Sequence, residues 1–152
     1  MRVCVGGTFN RFHKGHKLLI DTAIKKAGCD GFVFIGLSNG PLVKDKSFVE
    51  GFEKRRHQIL SFLQSKDQKK LPTMVIEPIE TVEGSTLSMD FDGIVVSEET
   101  KKTAEHINQK RKNKGLPEMK IWSIPIVLAE DDKKISSTRI LDHEIDSNGH
   151  LL

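Results

Sequence analysis

Residues 1–28, MRVCVGGTFNRFHKGHKLLIDTAIKKAG, hold a short apolar strand, a loop with two glycines and an amphipathic helix in direct succession. The strand is predicted at Val3 to Gly6. Between His16 and Ala27 the apolar residues recur at helical spacing, and the charged residues fall on the opposite face. Gly28 stands where a helix should end. A strand that leads through a loop into a helix is the first unit of an α/β fold.

The same alternation continues along the chain. Runs rich in Val, Ile and Phe predict four more buried strands, at Gly31 to Leu37, Thr73 to Ile79, Gly93 to Ser97 and Lys120 to Ile124. Two further helical patterns lie between them. One carries the apolar stripe Phe52, Ile59, Leu60 and Leu63, and the other, Glu98 to Lys114, is weakly apolar and highly charged. Strict alternation predicts an α/β, doubly wound, parallel five-stranded sheet. We expect residues 1–152 to form a single domain.

Composition excludes several classes of protein. Lys and Arg number 24 against 21 Asp and Glu, and hydrophobic residues make up 37% of the 152 positions. A net charge of +3 with both signs mixed does not indicate nucleic-acid binding, and the basic run Lys110 to Lys114 lacks interleaved aromatic residues that would favour RNA. No apolar run approaches the ~18 residues of a membrane helix, and no secretory leader is visible. Cys4 and Cys29 lie far apart, which favours reduced thiols in the cytoplasm.

The loop after the first predicted strand holds the strongest candidate for a binding site. Ligands of open α/β sheets bind beyond the carboxyl ends of strands. Here His13 and His16 stand three residues apart at a helix entrance, where backbone N–H groups attract anions, and Thr8 adds a hydroxyl. Gly15 lacks a Cβ and would let a phosphate approach the backbone. Neither a dinucleotide fingerprint nor a P-loop is present, and the absence of H-E-x-x-H disfavours zinc. The sequence therefore predicts a phosphate site.

Two motifs near the ends of the chain carry a family resemblance. Gly7-Thr8-Phe9 followed by His13-Lys14-Gly15-His16 resembles the H-x-G-H motif of the nucleotidyltransferase superfamily, and Ile135-Ser136-Ser137-Thr138-Arg139-Ile140 resembles its I-S-S-T-R motif. Segments between them resemble the archaeal-type phosphopantetheine adenylyltransferases, which are also similar to one half of eukaryotic CoA synthase. These segments are Ile35-Gly36-Leu37-Ser38, Val43-Lys44-Asp45-Lys46, Val95-Val96-Ser97-Glu98-Glu99-Thr100 and Ile124-Pro125-Ile126-Val127. The similarity runs nearly end to end and implies a Rossmann-like nucleotidyltransferase fold.

The resemblance also implies an activity. Members of that family transfer AMP from ATP to 4′-phosphopantetheine, forming dephospho-CoA and pyrophosphate in coenzyme A biosynthesis. It implies Mg²⁺ carried by the ATP phosphates without protein ligands, and no nucleic-acid or membrane partner. A related transferase could instead use CTP, or accept glycerol phosphate, nicotinamide mononucleotide or FMN, since the phosphate motifs are shared. A non-catalytic nucleotide-binding module is a further alternative. The oligomeric state does not follow from the sequence.

Residue roles carried over from the family fall into two groups. On the catalytic side, His16 would contact the α-phosphate and His13 the β- and γ-phosphates. Thr8 would bind the attacking phosphate or the α-phosphate, and Lys44 would bridge the attacking phosphate and the α-phosphate. Gly7 and Phe9 would line the cleft that both substrates share. Lys46 competes with Lys44 for the same role.

The second group belongs to the later motifs. Ser136, Ser137 and Thr138 read as a helix N-cap, and in the family such hydroxyls receive the β- and γ-phosphates. Arg139 could bind phosphate or pair with an acid. The segment from Ser97 to Thr100, with Ser97 and Glu98 as the candidate binding residues, would approach the ribose or adenine.

Two features of the family pattern stay open in this sequence. Asn10 stands where the family usually has Asp, which puts in doubt any part of that side chain in placing Mg²⁺. Either Arg55 or Arg56 could occupy the place of a family helix arginine.

Overall fold

The chain forms a single five-stranded parallel sheet in the computed structural model, which describes residues 1–44 and 48–152. The strands are β1 Arg2–Gly7, β2 Phe32–Ser38, β3 Thr73–Ile79, β4 Gly93–Val96 and β5 Lys120–Ser123. Their order is β3-β2-β1-β4-β5, and every neighbouring pair is parallel. The predicted fold class is confirmed. The bounds of β3 agree with the sequence pattern, and those of the other strands differ by one residue at either end or both.

In the described residues, four helices connect or follow the strands. They are α1 Lys14–Ala27, α2 Phe52–Gln64, α3 Lys101–Asn113 and α4 Ser137–Leu141, and two single 3-10 turns lie at Gly40–Leu42 and Gln68–Lys70. Helix α1 begins two residues before the predicted start, because His13 caps it. It ends as predicted at Gly28, whose positive φ of 78° suits glycine. Helix α3 begins at Lys101, later than predicted, because residues 97–100 form a turn in which the Thr100 N–H donates to the Ser97 carbonyl.

The sheet is buried on both faces, as the continuous apolar strands predict. One face of β1, with Val3 and Val5, packs in a core that includes residues of α1 and α2. Cys4, on the other face, packs with Ala104 and Ile107 of α3. No helix in the described part of the chain is both long and apolar enough to span a bilayer. Both cysteines are unpaired, Cys4 buried and Cys29 exposed.

The strand order fixes where a ligand can bind. The chain winds from β1 outward to β3 and then returns to add β4 and β5 on the other side, so the carboxyl ends of β1 and β4 flank a topological switch point. Two later segments close over this edge. Residues 128–134 form a hairpin with an antiparallel bridge between Leu128 and Lys134, and the tail returns to α1, where the Lys14 N–H donates to the Ser147 carbonyl at 3.0 Å.

Candidate active site

A cleft of about 700 Å³ opens at the switch point. It is lined by residues that follow β1, β4 and β5, by the start of α4, and by Phe48 and Val49. Most of the site residues predicted from the sequence line this cleft: Gly7, Thr8, Phe9, His13, Gly15, His16, Ser97, Glu98, Ser136, Ser137 and Thr138. Residues that are up to 131 positions apart in the chain thus share one cavity, because the carboxyl ends of parallel strands meet at one edge of the sheet.

His13 and His16 cap helix α1 reciprocally. His13 Nδ1 accepts from the Gly15 N–H at 3.1 Å, and His16 Nδ1 accepts from the His13 N–H at 3.2 Å. This is a capping box built from two imidazoles, in place of the usual Ser or Thr with Glu or Gln. The rings stack with centroids 3.7 Å apart. The spacing of three residues therefore sets both the helix start and the ring geometry.

The capping bonds determine the protonation of both rings. A ring nitrogen that accepts a hydrogen bond carries no proton, so each imidazole is neutral with its proton on Nε2. Burial lowers the pKa of His13 to about 4, with a further contribution from the Lys134 charge. Burial and the neighbouring His13 lower the pKa of His16 to about 3. At neutral pH both rings that line the cleft are therefore uncharged, and each carries one N–H donor, on Nε2.

The backbone of α1 contributes less to an anion site than the sequence suggested. The Lys14 N–H is bonded to the Ser147 carbonyl and the Gly15 N–H to His13 Nδ1, so neither amide remains for a phosphate. Gly15 has a second role, within the protein, while its part in the close approach of a ligand stays a prediction. A Cβ there would lie 3.0 Å from His13 Cε1 and 3.1 Å from Nδ1. The glycine therefore makes room for the capping imidazole.

Phe9 and Thr8 are held by the fold around them. Phe9 adopts a positive φ of 49°, is 1% exposed, and places its ring 5.3 Å from that of His16. The Thr8 carbonyl accepts from Arg55 Nη1 at 3.0 Å. Arg55 is the inward-facing member of the arginine pair at 1% exposure, whereas Arg56 is partly exposed beside Glu53. Arg55 acts on the site through the backbone and does not line the cleft.

Asn10 has a clear structural role. Its Oδ1 accepts from the Glu50 N–H at 2.9 Å, and its Nδ2 donates to the Phe48 carbonyl at 3.4 Å. The side chain thereby joins the loop after β1 to the segment before α2. A carboxylate could accept the first bond but could not donate the second, so the amide at this position stabilises the arrangement seen here.

The first residues of α4 line the same cleft as the histidines. Ser136 is the N-cap predicted from the sequence, and its hydroxyl accepts from the Arg139 N–H at 3.2 Å. The Ser137 hydroxyl donates to the Asn10 carbonyl at 2.5 Å, which ties α4 to the loop after β1. The Ser137 proton is therefore committed within the protein, whereas Ser136 keeps a donor for a ligand.

Ser97 and Glu98 also line the cleft. The Ser97 N–H donates to Thr100 Oγ1 at 3.1 Å, and Glu98 Oε1 accepts from Ser123 Oγ at 3.0 Å. Both residues are thus fixed at the carboxyl end of β4 by neighbours on the same side of the sheet.

Two cations expected at the site lie outside the cleft lining. Arg139 pairs with Asp131 and donates from Nη1 to the Lys134 carbonyl at 3.0 Å, so the acid-paired alternative holds and its phosphate role lacks support here. Lys44 is exposed just after the 3-10 turn that follows β2. Its role with the attacking phosphate stays a prediction. Lys46, its competitor, falls outside the described residues, as does Asp45.

The cation that does line the cleft was missed. Among the described lining residues, Lys134 is the single lysine, and its ammonium pairs with Glu99. Its position directly before the Ile135-Ser136-Ser137 motif was the available signal. No group of three or more His, Cys, Asp or Glu able to hold a metal occurs within residues 1–44 and 48–152.

Comparison with known proteins identifies the family to which this fold and this cleft belong. The cytidylyltransferase-like family model matches residues 4–142. A phosphopantetheine adenylyltransferase of Methanosarcina acetivorans is 39% identical, covering 99% of this chain and 95% of its own. One from Archaeoglobus fulgidus is 39% identical over the full length of both chains. A crystal structure of an Archaeoglobus fulgidus protein with unknown function shares 36% identity and a TM-score of 0.72, covering 82% of this chain and 90% of that one.

Proposed function

The chain belongs to the cytidylyltransferase-like family, and we propose that it transfers the adenylyl group of ATP to 4′-phosphopantetheine, forming dephospho-CoA and pyrophosphate. The observation that carries this proposal is the imidazole capping box, whose two neutral rings line the same cleft as the Ser136 N-cap. The choice of substrates is supported by the name that relatives share along almost the whole chain.

The reaction is an exchange of one phosphorus–oxygen bond for another. An oxygen of the acceptor phosphate attacks the α-phosphorus, and the bond from that phosphorus to the α,β-bridging oxygen breaks, so its electron pair leaves with pyrophosphate. The acceptor phosphate has a second pKa of about 6 and is already anionic at neutral pH, so no general base is needed. Catalysis then depends on positioning and on stabilising developing charge.

Each residue of the site supplies part of that stabilisation. His16 Nε2–H donates to an α-phosphate oxygen, and His13 Nε2–H donates on the β-phosphate side. Ser136 donates to the β- and γ-phosphates. Thr8 and Lys44 hold the acceptor phosphate. Because the histidines are neutral and already fixed by their Nδ1 bonds, the donors need no reorganisation when charge develops.

Magnesium fits this cleft as a companion of the nucleotide. The lining offers hydroxyl groups and the carboxylates of Glu98 and Glu99, without a carboxylate cage among the described residues. Mg²⁺ typically keeps several waters and binds substrate phosphates, which is the arrangement that such a lining allows. When bound, the ion would neutralise phosphate charge that the chain itself does not offset.

We place the enzyme in the cytoplasm and treat its 152 residues as a single catalytic domain.

Pyrophosphate release by the purified protein tests the proposal. ATP and CTP are each offered with 4′-phosphopantetheine, glycerol 3-phosphate, nicotinamide mononucleotide and FMN. We expect turnover with ATP and 4′-phosphopantetheine, and dephospho-CoA as the second product by mass spectrometry. Turnover with another pair would reassign the substrates within the family, and no turnover with any pair would leave a nucleotide-binding module.

A further inference from the structure

Lys134 is the feature of the cleft that the proposed function leaves unexplained. The hairpin of residues 128–134 ends on it, and its backbone bridges to Leu128. Next to it, the Ile135 N–H donates to the Val127 carbonyl at 3.0 Å. Arg139 adds a third restraint, since its Nη1 donates to the Lys133 and Lys134 carbonyls at 3.3 and 3.0 Å. The backbone of Lys134 is thus fixed at the cleft wall, beside the N-cap of α4.

The side chain of Lys134 is held in a different way from its backbone. Its ammonium pairs with Glu99, which follows β4 and also lines the cleft. Both side chains are exposed, 42% for Lys134 and 71% for Glu99. Ion pairs at such exposure contribute little to stability and are easily replaced. The neighbouring Glu98 is engaged elsewhere, with the Ser123 hydroxyl.

The negative charge of a bound triphosphate requires a cation from the protein in this cleft. Both histidines are neutral, Arg139 is paired with Asp131, and neither Arg139 nor Lys44 is among the residues that line the cleft. Among the described lining residues the charges are therefore Lys134, Glu98 and Glu99. A nucleoside triphosphate brings a dense cluster of negative charge to this place. The charge of Lys134 is close enough to His13 to lower the pKa of that ring, and Lys134 stands two residues before the Ser136 N-cap.

Resting on the proposed function, we propose that Lys134 binds the β- and γ-phosphates of ATP, and that Glu99 holds its ammonium until the nucleotide replaces the carboxylate. The exchange breaks no covalent bond. Without nucleotide, Glu99 neutralises the Lys134 ammonium. A polyphosphate displaces the carboxylate and binds the ammonium, so Lys134 increases the affinity for ATP more than the affinity for the acceptor phosphomonoester.

Three variants test the exchange with two readouts: calorimetric dissociation constants for inorganic pyrophosphate and for Mg²⁺–ATP, and the Michaelis constant for each substrate. Loss of one charge-assisted contact corresponds to about 10- to 100-fold, so Lys134→Gln should weaken pyrophosphate and ATP binding by that factor. The Michaelis constant for the acceptor should change by less than about threefold, since the acceptor phosphate lies elsewhere in the cleft. Lys134→Arg should restore most of the loss, because it keeps the charge.

Glu99→Gln should act in the opposite direction. Freed from its partner, Lys134 should bind pyrophosphate about two- to fivefold more tightly, the range of an exposed ion pair. In the double variant Lys134→Gln/Glu99→Gln this gain should vanish. Lys133→Gln is the matched control: it removes the same charge one residue away, from an exposed side chain that does not line the cleft, and should leave both dissociation constants within about twofold.

The outcomes separate this inference from the function on which it rests. Unchanged pyrophosphate binding in Lys134→Gln would overturn it, as would an equal loss in Lys133→Gln or a gain from Glu99→Gln that persists without Lys134. The last two results would mean that net charge matters and the specific ion pair does not. If the wild type binds ATP through Lys134 but never adenylylates 4′-phosphopantetheine, the acceptor is wrong and the role of Lys134 stands. If the wild type binds neither ATP nor pyrophosphate, both fall.

Discussion

Each imidazole of the H-x-G-H motif has two roles. Its Nδ1 atom stabilises the start of a helix, and its Nε2–H group is the donor proposed for the ligand. Nδ1 of His13 and of His16 accepts a backbone N–H, and this bond forces the proton onto Nε2. The helix start therefore fixes the tautomer that donates to phosphate. A serine or threonine cap would stabilise the helix equally well but would bring no donor ring into the cleft.

Protonation of this pair should destabilise the fold. The pKa values of about 4 for His13 and about 3 for His16 lie below the usual 6.5, so the unfolded chain takes up protons first. The free energy of unfolding should then fall as pH drops from about 6.5 towards 4. Urea unfolding at half-unit steps between about pH 5 and 7 measures this slope above the range in which carboxylates titrate.

The matched variant keeps the caps and removes the titration. In His13→Asn/His16→Gln both side chains can still accept the capping bonds, so the slope between about pH 5 and 6.5 should shrink while the fold persists. His57→Gln, on the exposed face of α2, should leave the slope unchanged. An equal slope in the wild type and the double variant would contradict neutral histidines at the cap.

Replacing His16 separates its two roles. His16→Ala removes both the cap acceptor and the donor, and we expect kcat to fall by about 100-fold or more, the scale of one lost oxyanion donor. His16→Glu restores a standard capping box at N3 but sets a negative charge against the phosphates. Its melting temperature should exceed that of His16→Ala, and its kcat should be no higher. A Glu variant with nearly normal kcat would assign the loss in His16→Ala to helix stability instead.

At the scale of elements, Arg55 joins three segments that the sequence separates. Its guanidinium donates to the carbonyls of Thr8 at 3.0 Å, Ser38 at 2.9 Å and Glu50 at 2.7 Å. These carbonyls lie after β1, at the end of β2 and before α2. Because one rigid guanidinium bonds all three, the arginine sets the spacing between the loop after β1 and the sheet edge.

Removing this link should cost stability and substrate binding together. Arg55→Met takes a charged donor away from three carbonyls, and we expect the free energy of unfolding to fall by about 2–4 kcal/mol in urea titrations. Arg55→Lys should recover only part of it, since one ammonium cannot span three acceptors. Arg56→Met is the control at a half-exposed site and should stay within about 0.5 kcal/mol. Equal effects at the two positions would contradict the role given to Arg55.

Elements of the sheet were predictable because their signal is local. A buried parallel strand is an apolar run, so the five strands agree with the sequence to within a residue or so at each end. The start of α1 was placed two residues late, because imidazole caps are unusual and the apolar stripe begins at His16. The burial of Arg111 was also not predictable. It stands in a basic run that reads as a solvated face, yet it is 1% exposed and donates to the carbonyls of Thr86, Met89 and Pro117.

The residues of the candidate site were predictable where they belong to a sequence motif. The prediction failed for long side chains that can reach several partners. The histidines and Ser136 are short and lie where the backbone puts them. Lys134 and Arg139 are close in sequence, and which of them lines the cleft depends on Asp131, an acid that pairs with one of them. Pairing of this kind is tertiary and leaves no periodic pattern in the sequence.

The net charge of the whole molecule is +3, but the cleft is not itself positive. The charged side chains in its described lining are Lys134, Glu98 and Glu99. Affinity for a polyanion must then come from placed donors, from Lys134 and from the cation that the nucleotide carries, more than from a general positive field. Binding should accordingly be specific for the triphosphate.

Nucleotide binding should also stabilise the entire fold. The cleft joins the loop after β1, the ends of β4 and β5, and α4, so a ligand there connects both halves of the sheet with the C-terminal segments. At about 100 times its dissociation constant, Mg²⁺–ATP should add about 2.7 kcal/mol to the free energy of unfolding, which for about 150 residues raises Tm by about 5–10 °C. Thermal scans at equal ligand concentrations should show smaller shifts for AMP, which lacks the β- and γ-phosphates, and for CTP. Equal shifts with ATP and CTP would mean that the base is not read and that the nucleotide donor is misassigned. An AMP shift as large as that of ATP would remove the β- and γ-phosphates from the binding site, and with them the role of Ser136.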